Sequence, residues 1–82
     1  MTEQQIQAKR IKKFEEDGYY VIKLIKTNKN GIPDLIAIPR NSEVIFSEIK
    51  RKNGKVSALQ EYRIQELNDH GIKTEIYRGE KV

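Results

Sequence analysis

The chain has 82 residues, no cysteine, and 16 Lys plus Arg against 12 Asp plus Glu, a net charge of +4. That length supports one small domain over residues 1–82 and leaves no room for a second core. Disulfides and a thiolate zinc centre are excluded, and the polar start Met1-Thr2-Glu3-Gln4-Gln5 is expected to be neither a signal peptide nor part of a membrane span.

The absent cysteines fit a reducing cytoplasm, and the sources of extra stability left to so small a chain are metal binding and oligomerisation. Four tyrosines exceed what so short a core can bury. They are expected in the core or an interface rather than as base-stacking platforms. The modest positive balance is compatible with a nucleic-acid partner.

Thr2-Glu3-Gln4-Gln5 has the form of a capping box, so a helix is expected to about Asp17, with Ile6, Ala8, Ile11 and Phe14 on its apolar side and Gly18 ending it. Lys9, Arg10, Lys12 and Lys13 crowd this helix, either as a solvated face or as a basic patch. Tyr19 to Lys26 is rich in β-branched and aromatic residues and reads as a strand. Thr27-Asn28-Lys29-Asn30-Gly31 is a turn sequence.

Two β-branched runs follow, Leu35 to Ile38 and Val44 to Ile49, joined by Pro39-Arg40-Asn41-Ser42. Both are apolar on both faces, which predicts central strands covered by helices. Asn53-Gly54 ends the second run, and Ser57 with Gln60 forms another capping box for a helix to about His70, stopped by Gly71. His70 reads as a surface residue in the last helical turn. Lys73 to Tyr77 is a last short strand. The order is helix, three strands, helix, strand.

The chemistry concentrates in the hairpin. If it is centred on Asn41, paired residues have numbers summing to 82, so Asp34 faces Glu48 and Ile36 faces Phe46. Paired side chains lie about 5 Å apart on one face, and Lys50, two residues past Glu48, shares that face. Two acids so placed repel unless a cation lies between them. Mg²⁺ or Mn²⁺ binds oxygen ligands through one or two carboxylates plus substrate phosphates, and the Ile49 carbonyl stands between the two side chains as a further donor. Such an ion acidifies water and offsets charge on a phosphate; Lys50 is placed to orient the water or neutralise the transition state. The basic run Arg51, Lys52 and Lys55 adjoins the acids and is expected to contact nucleic acid. Ser57 is a helix cap, and a helix N-terminus beside Lys55 is also a phosphate seat.

Pro33-Asp34 followed by Glu48-Ile49-Lys50 is similar to the PD-(D/E)xK nuclease signature. With Gly31-Ile32 before it, Phe46-Ser47 inside it and Gly54-Lys55-Val56-Ser57-Ala58-Leu59-Gln60 after it, the chain resembles the VRR-NUC family from Glu3 to about Tyr77. That resemblance implies an α/β, restriction-endonuclease-like core of order αβββαβ, with a central mixed sheet flanked by helices. It implies metal-dependent DNA cleavage with Asp34, Glu48, Lys50 and Gln60 as catalytic residues. Stand-alone members resemble phage proteins acting as homodimers on branched DNA such as Holliday junctions, which places the chain in the cytoplasm of a bacterium, phage-encoded or bacterial. Glu3 matches the family's acid on the first helix, where it can join the metal shell; an acid in a first helical turn is also favoured by the helix dipole. Gln60 matches the family's glutamine, and the capping box accounts for it equally well.

Two other classes compete. An inert nucleic-acid-binding module on the same fold would have lost the lysine or an acid, and all three are present. A structural dimerisation protein with a fortuitous pattern predicts neither a metal-dependent gain in stability nor salt-dependent DNA binding. Since phosphate contacts carry no base information, preference for DNA shape over DNA sequence is expected.

Overall fold

The computed structural model describes residues 1–79. It contains α1 (Glu3–Glu16), β1 (Tyr20–Lys23), β2 (Leu35–Ile38), β3 (Ile45–Ile49), α2 (Ala58–Asp69) and β4 (Lys73–Tyr77). The four strands form one sheet in the order β1-β2-β3-β4. β1–β2 and β2–β3 pair antiparallel, while β4 returns through α2 to pair parallel with β3. The architecture is therefore α/β with a mixed sheet, and the hairpin strands are its two central strands.

Local sequence sets the helix ends. Thr2 Oγ1 accepts from the Gln5 N–H while the Gln5 side chain accepts from the Thr2 N–H at 2.8 Å; Ser57 and Gln60 repeat the exchange at the start of α2. Gly18 and Gly71, both at positive φ, follow the helix ends. β1 is shorter than the run Tyr19–Lys26. Its register continues to Leu24, whose N–H donates to the Asp34 carbonyl at 2.8 Å, and would next bring Ile25 to Pro33. Proline has no N–H to donate, so the ladder ends there.

The hairpin register is the one that places Ile36 opposite Phe46 and Leu35 opposite Ser47, although the ladder stops one pair short of Ile38–Val44. Because side chains alternate, Leu35, Ala37 and Ile49 face α1 and build the core with Ile6, joined at its margin by Ile11, Val21 and Tyr77. Ala8, expected on the apolar side of α1, is exposed. Arg10 leaves the solvated basic face. Its guanidinium is bidentate to Glu75 at 2.8 and 2.9 Å and lies between the Phe14 and Tyr77 rings, 4.0 and 4.4 Å from their centroids. Ser47 on β3 also donates to Glu75.

The opposite face carries Glu48 and is covered by α2 only over β3 and β4, through Gln60–Glu48 and Asn68–Thr74 hydrogen bonds. α2 buries none of its residues fully. Helices thus flank the sheet on both faces, and what α2 leaves open lies at the edge strand β1. Over β1 the face is bare, with Tyr20 70% and Ile22 41% exposed, because α2 has 12 residues and runs beside β4.

Candidate active site

Asp34 is fixed from two sides before β2 begins. Its backbone carbonyl accepts from Leu24, and its Oδ2 accepts from the Ile49 N–H at 2.8 Å. The register puts Pro33 opposite Ile49, and proline has no N–H to offer the Ile49 carbonyl, while the Asp34 carboxylate accepts the Ile49 N–H. The Ile49 carbonyl correspondingly has no ladder donor across from it and is left available as an oxygen ligand.

The loop that delivers Pro33-Asp34 is held by α2. Arg63 Nε donates to the Asn30 carbonyl at 2.9 Å, and Gly31 has φ +83°. A Cβ on Gly31 would stand 2.8 Å from Leu59 Cγ. Gly31→Ala is therefore expected to cost about 1–3 kcal/mol from backbone strain and the forced contact. That corresponds to roughly 4–8 °C of melting temperature per kcal/mol in a domain this small. A thermal melt of the variant measures it.

Glu48 is the most unusual residue in the protein. It is 2% exposed, yet no group among the described residues donates a hydrogen bond to Oε1, while Oε2 accepts from Gln60 Nε2 at 3.2 Å and lies 3.8 Å from Lys50 Nζ. Burial, followed by the charge of Asp34 and a hydrogen bond shared with its carboxyl, pushes Glu48 up to about 8; Lys50 opposes the shift and Glu3 adds slightly to it. At neutral pH and without an ion, the acid pair relieves its repulsion by keeping a proton. The donors here are all oxygens, a set that suits a hard cation.

Lys50 is mostly buried beside Glu48, and its N–H donates to the Tyr77 carbonyl, which carries the β3–β4 pairing to the edge of the site. Gln60 does both things its sequence position allowed: its side-chain oxygen caps Ser57 and its amide nitrogen reaches Glu48. Ser57 serves as the cap. Glu3 is exposed at the rim, its Oε2 accepting from the Arg51 N–H at 3.3 Å, and among the described residues no three acidic, histidine or cysteine groups converge on one point. Asp34 and Glu48 lie side by side, and Glu3 stands at the rim of the cleft that reaches Asp34. Arg51, Lys52 and Lys55 are exposed beside it, with no ion-pair partner among the described residues. On the other side, a cleft of about 560 Å³ between α1 and the sheet reaches Asp34 and Ile49 past Glu3, Gln7 and Lys23.

This arrangement has relatives. The family model described as VRR-NUC domain matches residues 1–81. The chain belongs to the VRR-NUC family. A solved structure titled VRR_NUC domain is similar to it, with a TM-score of 0.85 and 25% sequence identity, over 96% of this chain and 87% of that one. Among curated proteins none matches. VRR-NUC domains are nuclease-type domains, so this chain carries a nuclease-type fold whose central hairpin bears Asp34, Glu48 and Lys50. Two residues of this VRR-NUC domain escaped the sequence motifs. Arg63, which anchors the Gly31 loop, and Arg78, which lies against residues 51–54, have no local signature, because the backbone carbonyls they hold lie more than twenty residues away.

Proposed function

We propose that this VRR-NUC domain is a Mg²⁺- or Mn²⁺-dependent endodeoxyribonuclease. The observation that carries the proposal is the buried Glu48 Oε1, which receives no hydrogen bond from a donor among the described residues, beside the Asp34 carboxyl. A buried acceptor without a partner is costly, and a hard cation held by Asp34, Glu48 and the Ile49 carbonyl would satisfy it. Such an ion, when bound, supplies an acidified water and offsets charge on the scissile phosphate. Asp34 and Glu48 hold the metal edge of the site. Gln60 orients Glu48 through Oε2. Lys50, with its stem buried, keeps an ammonium aimed at the same point, where preorganised positive charge favours the phosphorane-like transition state over the ground state.

The test pairs two readouts. Millimolar Mn²⁺ or Mg²⁺ is expected to raise the melting temperature of the DNA-free protein by mass action and to switch on cleavage of labelled DNA. Cleavage undiminished in a chelator would remove the metal from the proposal.

Within the same proposal, Arg51, Lys52 and Lys55 contact the DNA backbone, with the exposed N-terminus of α2 at Ser57 adding a phosphate seat. Lys52→Ala and Lys55→Ala are each expected to lower the slope of log K against log[salt] by about one contact. Fluorescence anisotropy with duplex DNA across a salt series measures this.

The preferred substrate is proposed to be branched DNA, Holliday-junction-like, addressed by a homodimer in the cytoplasm. The bare sheet face at Tyr20 and Ile22, together with exposed Leu59 and Tyr62 on α2, supports pairing of two copies. A two-fold dimer presents two sites to two equivalent strands. Sedimentation and a comparison of junction with single-stranded substrates test this part, and a monomer preferring single-stranded ends would defeat it.

A further inference from the structure

The turn that follows Lys50 is closed by a hydrogen bond from the Gly54 N–H to the Arg51 carbonyl at 2.9 Å. Arg78 Nη1 sits among three carbonyl oxygens of this same turn: Arg51 at 3.0 Å, Lys52 at 3.3 Å and Gly54 at 2.6 Å. Three carbonyl dipoles converging on one point repel one another unless a cation occupies it, so the shape of the turn depends on the guanidinium. Arg78 can reach it because the parallel pairing of Ile49 with Tyr77 sets the residue after β4 beside the residues after β3. From the other side Glu3 accepts the Arg51 N–H. The turn is thus pinned by the first turn of α1 and by the end of β4.

Resting on the nuclease assignment above, we propose that Arg78 is a positioning residue for DNA binding: it sets the Arg51–Gly54 turn so that Lys52 and Lys55 meet phosphates in register with the scissile bond at Lys50. Its Nη1 is engaged by the three carbonyls, and it acts through its neighbours. A flexible turn would still carry the same lysines, but each would lose conformational entropy on binding that the pinned turn has already lost.

A double-mutant cycle tests this, with Arg78→Gln, the Lys52→Ala/Lys55→Ala pair, and all three substitutions combined. Arg78→Gln is expected to raise KM for duplex DNA about tenfold with kcat changed less, and to lower the salt slope by about one contact. In the Lys52→Ala/Lys55→Ala background it is expected to add almost nothing. In the DNA-free protein, hydrogen exchange at the Gly54 amide is expected to quicken in Arg78→Gln. Additive losses would show that Arg78 touches phosphate itself and would overturn the proposal, as would a lowered melting temperature with KM and salt slope unchanged. If the parent protein neither bound nor cut DNA, the nuclease assignment would fail instead, while the exchange measurement would still report whether the turn is clamped.

Discussion

Glu48→Gln is expected to lower DNA cleavage about a thousandfold or more while stabilising the metal-free protein at neutral and alkaline pH. Loss of activity follows if, as proposed, Glu48 is a metal ligand. The gain in stability follows from burial. Glu48 titrates at about 8 in the folded protein against 4.5 without its surroundings, so between those values the folded state holds a proton that the unfolded chain has released. Its contribution to stability is complete below pH 4.5, falls as pH rises toward 8, and levels off above it. Glutamine does not titrate and has nearly the same shape. The difference between variant and parent should therefore widen with pH, to a few kcal/mol at most. Urea unfolding at pH 5, 7 and 9 in a chelator measures it. Parallel pH profiles for the two proteins would mean that Glu48 is ionised and solvated, with no buried carboxyl awaiting a cation.

Asp34→Ala is expected to abolish cleavage and, in contrast, to destabilise the fold. The sequence treats the two acids as equivalent partners in one repulsive pair, whose relief should stabilise the chain whichever is removed. The structure makes them unequal. Asp34 Oδ2 is the acceptor for the Ile49 N–H, and Ile49 is buried in the core. Deleting the carboxyl leaves that donor unsatisfied, at about 1–3 kcal/mol, which outweighs the relief because Glu48 already sheds its charge by keeping a proton. Asp34→Asn keeps an acceptor oxygen in place and removes the charge, so it should be as inactive as the alanine variant yet melt near the parent. Lys50→Ala should resemble the asparagine variant: inactive, and close to the parent in stability, since the 3.8 Å contact it removes is to a largely protonated, neutral partner. Activity retained in Asp34→Asn would remove Asp34 from the metal site.

What the sequence determined by itself is local and periodic. Thr2-x-x-Gln5 and Ser57-x-x-Gln60 specified both helix starts, because a capping box is satisfied within four residues. Strand alternation and the turn at Asn41 specified the hairpin register, since a slip by one would turn Leu35 and Ala37 out of the core and Ile36 into it. With the register came the juxtaposition of Asp34, Glu48 and Lys50, and with the motif came membership of the VRR-NUC family.

The tertiary structure decided what depends on groups far apart in the chain. Gln60 looked like either a cap or a site residue; its oxygen caps Ser57 and its nitrogen donates to Glu48, since its amide has two ends and only packing shows where the second one points. Arg10 looked like one of four helix-surface cations and is instead held between two rings by Glu75, sixty-five residues away. The bare face over β1 could not be read from an apolar strand pattern, which records what a strand can bury and not which helix arrives to bury it. The depth of Glu48 was equally out of reach. Sequence placed two acids side by side; burial by the surrounding elements turned one of them into a carboxyl that holds a proton near neutral pH.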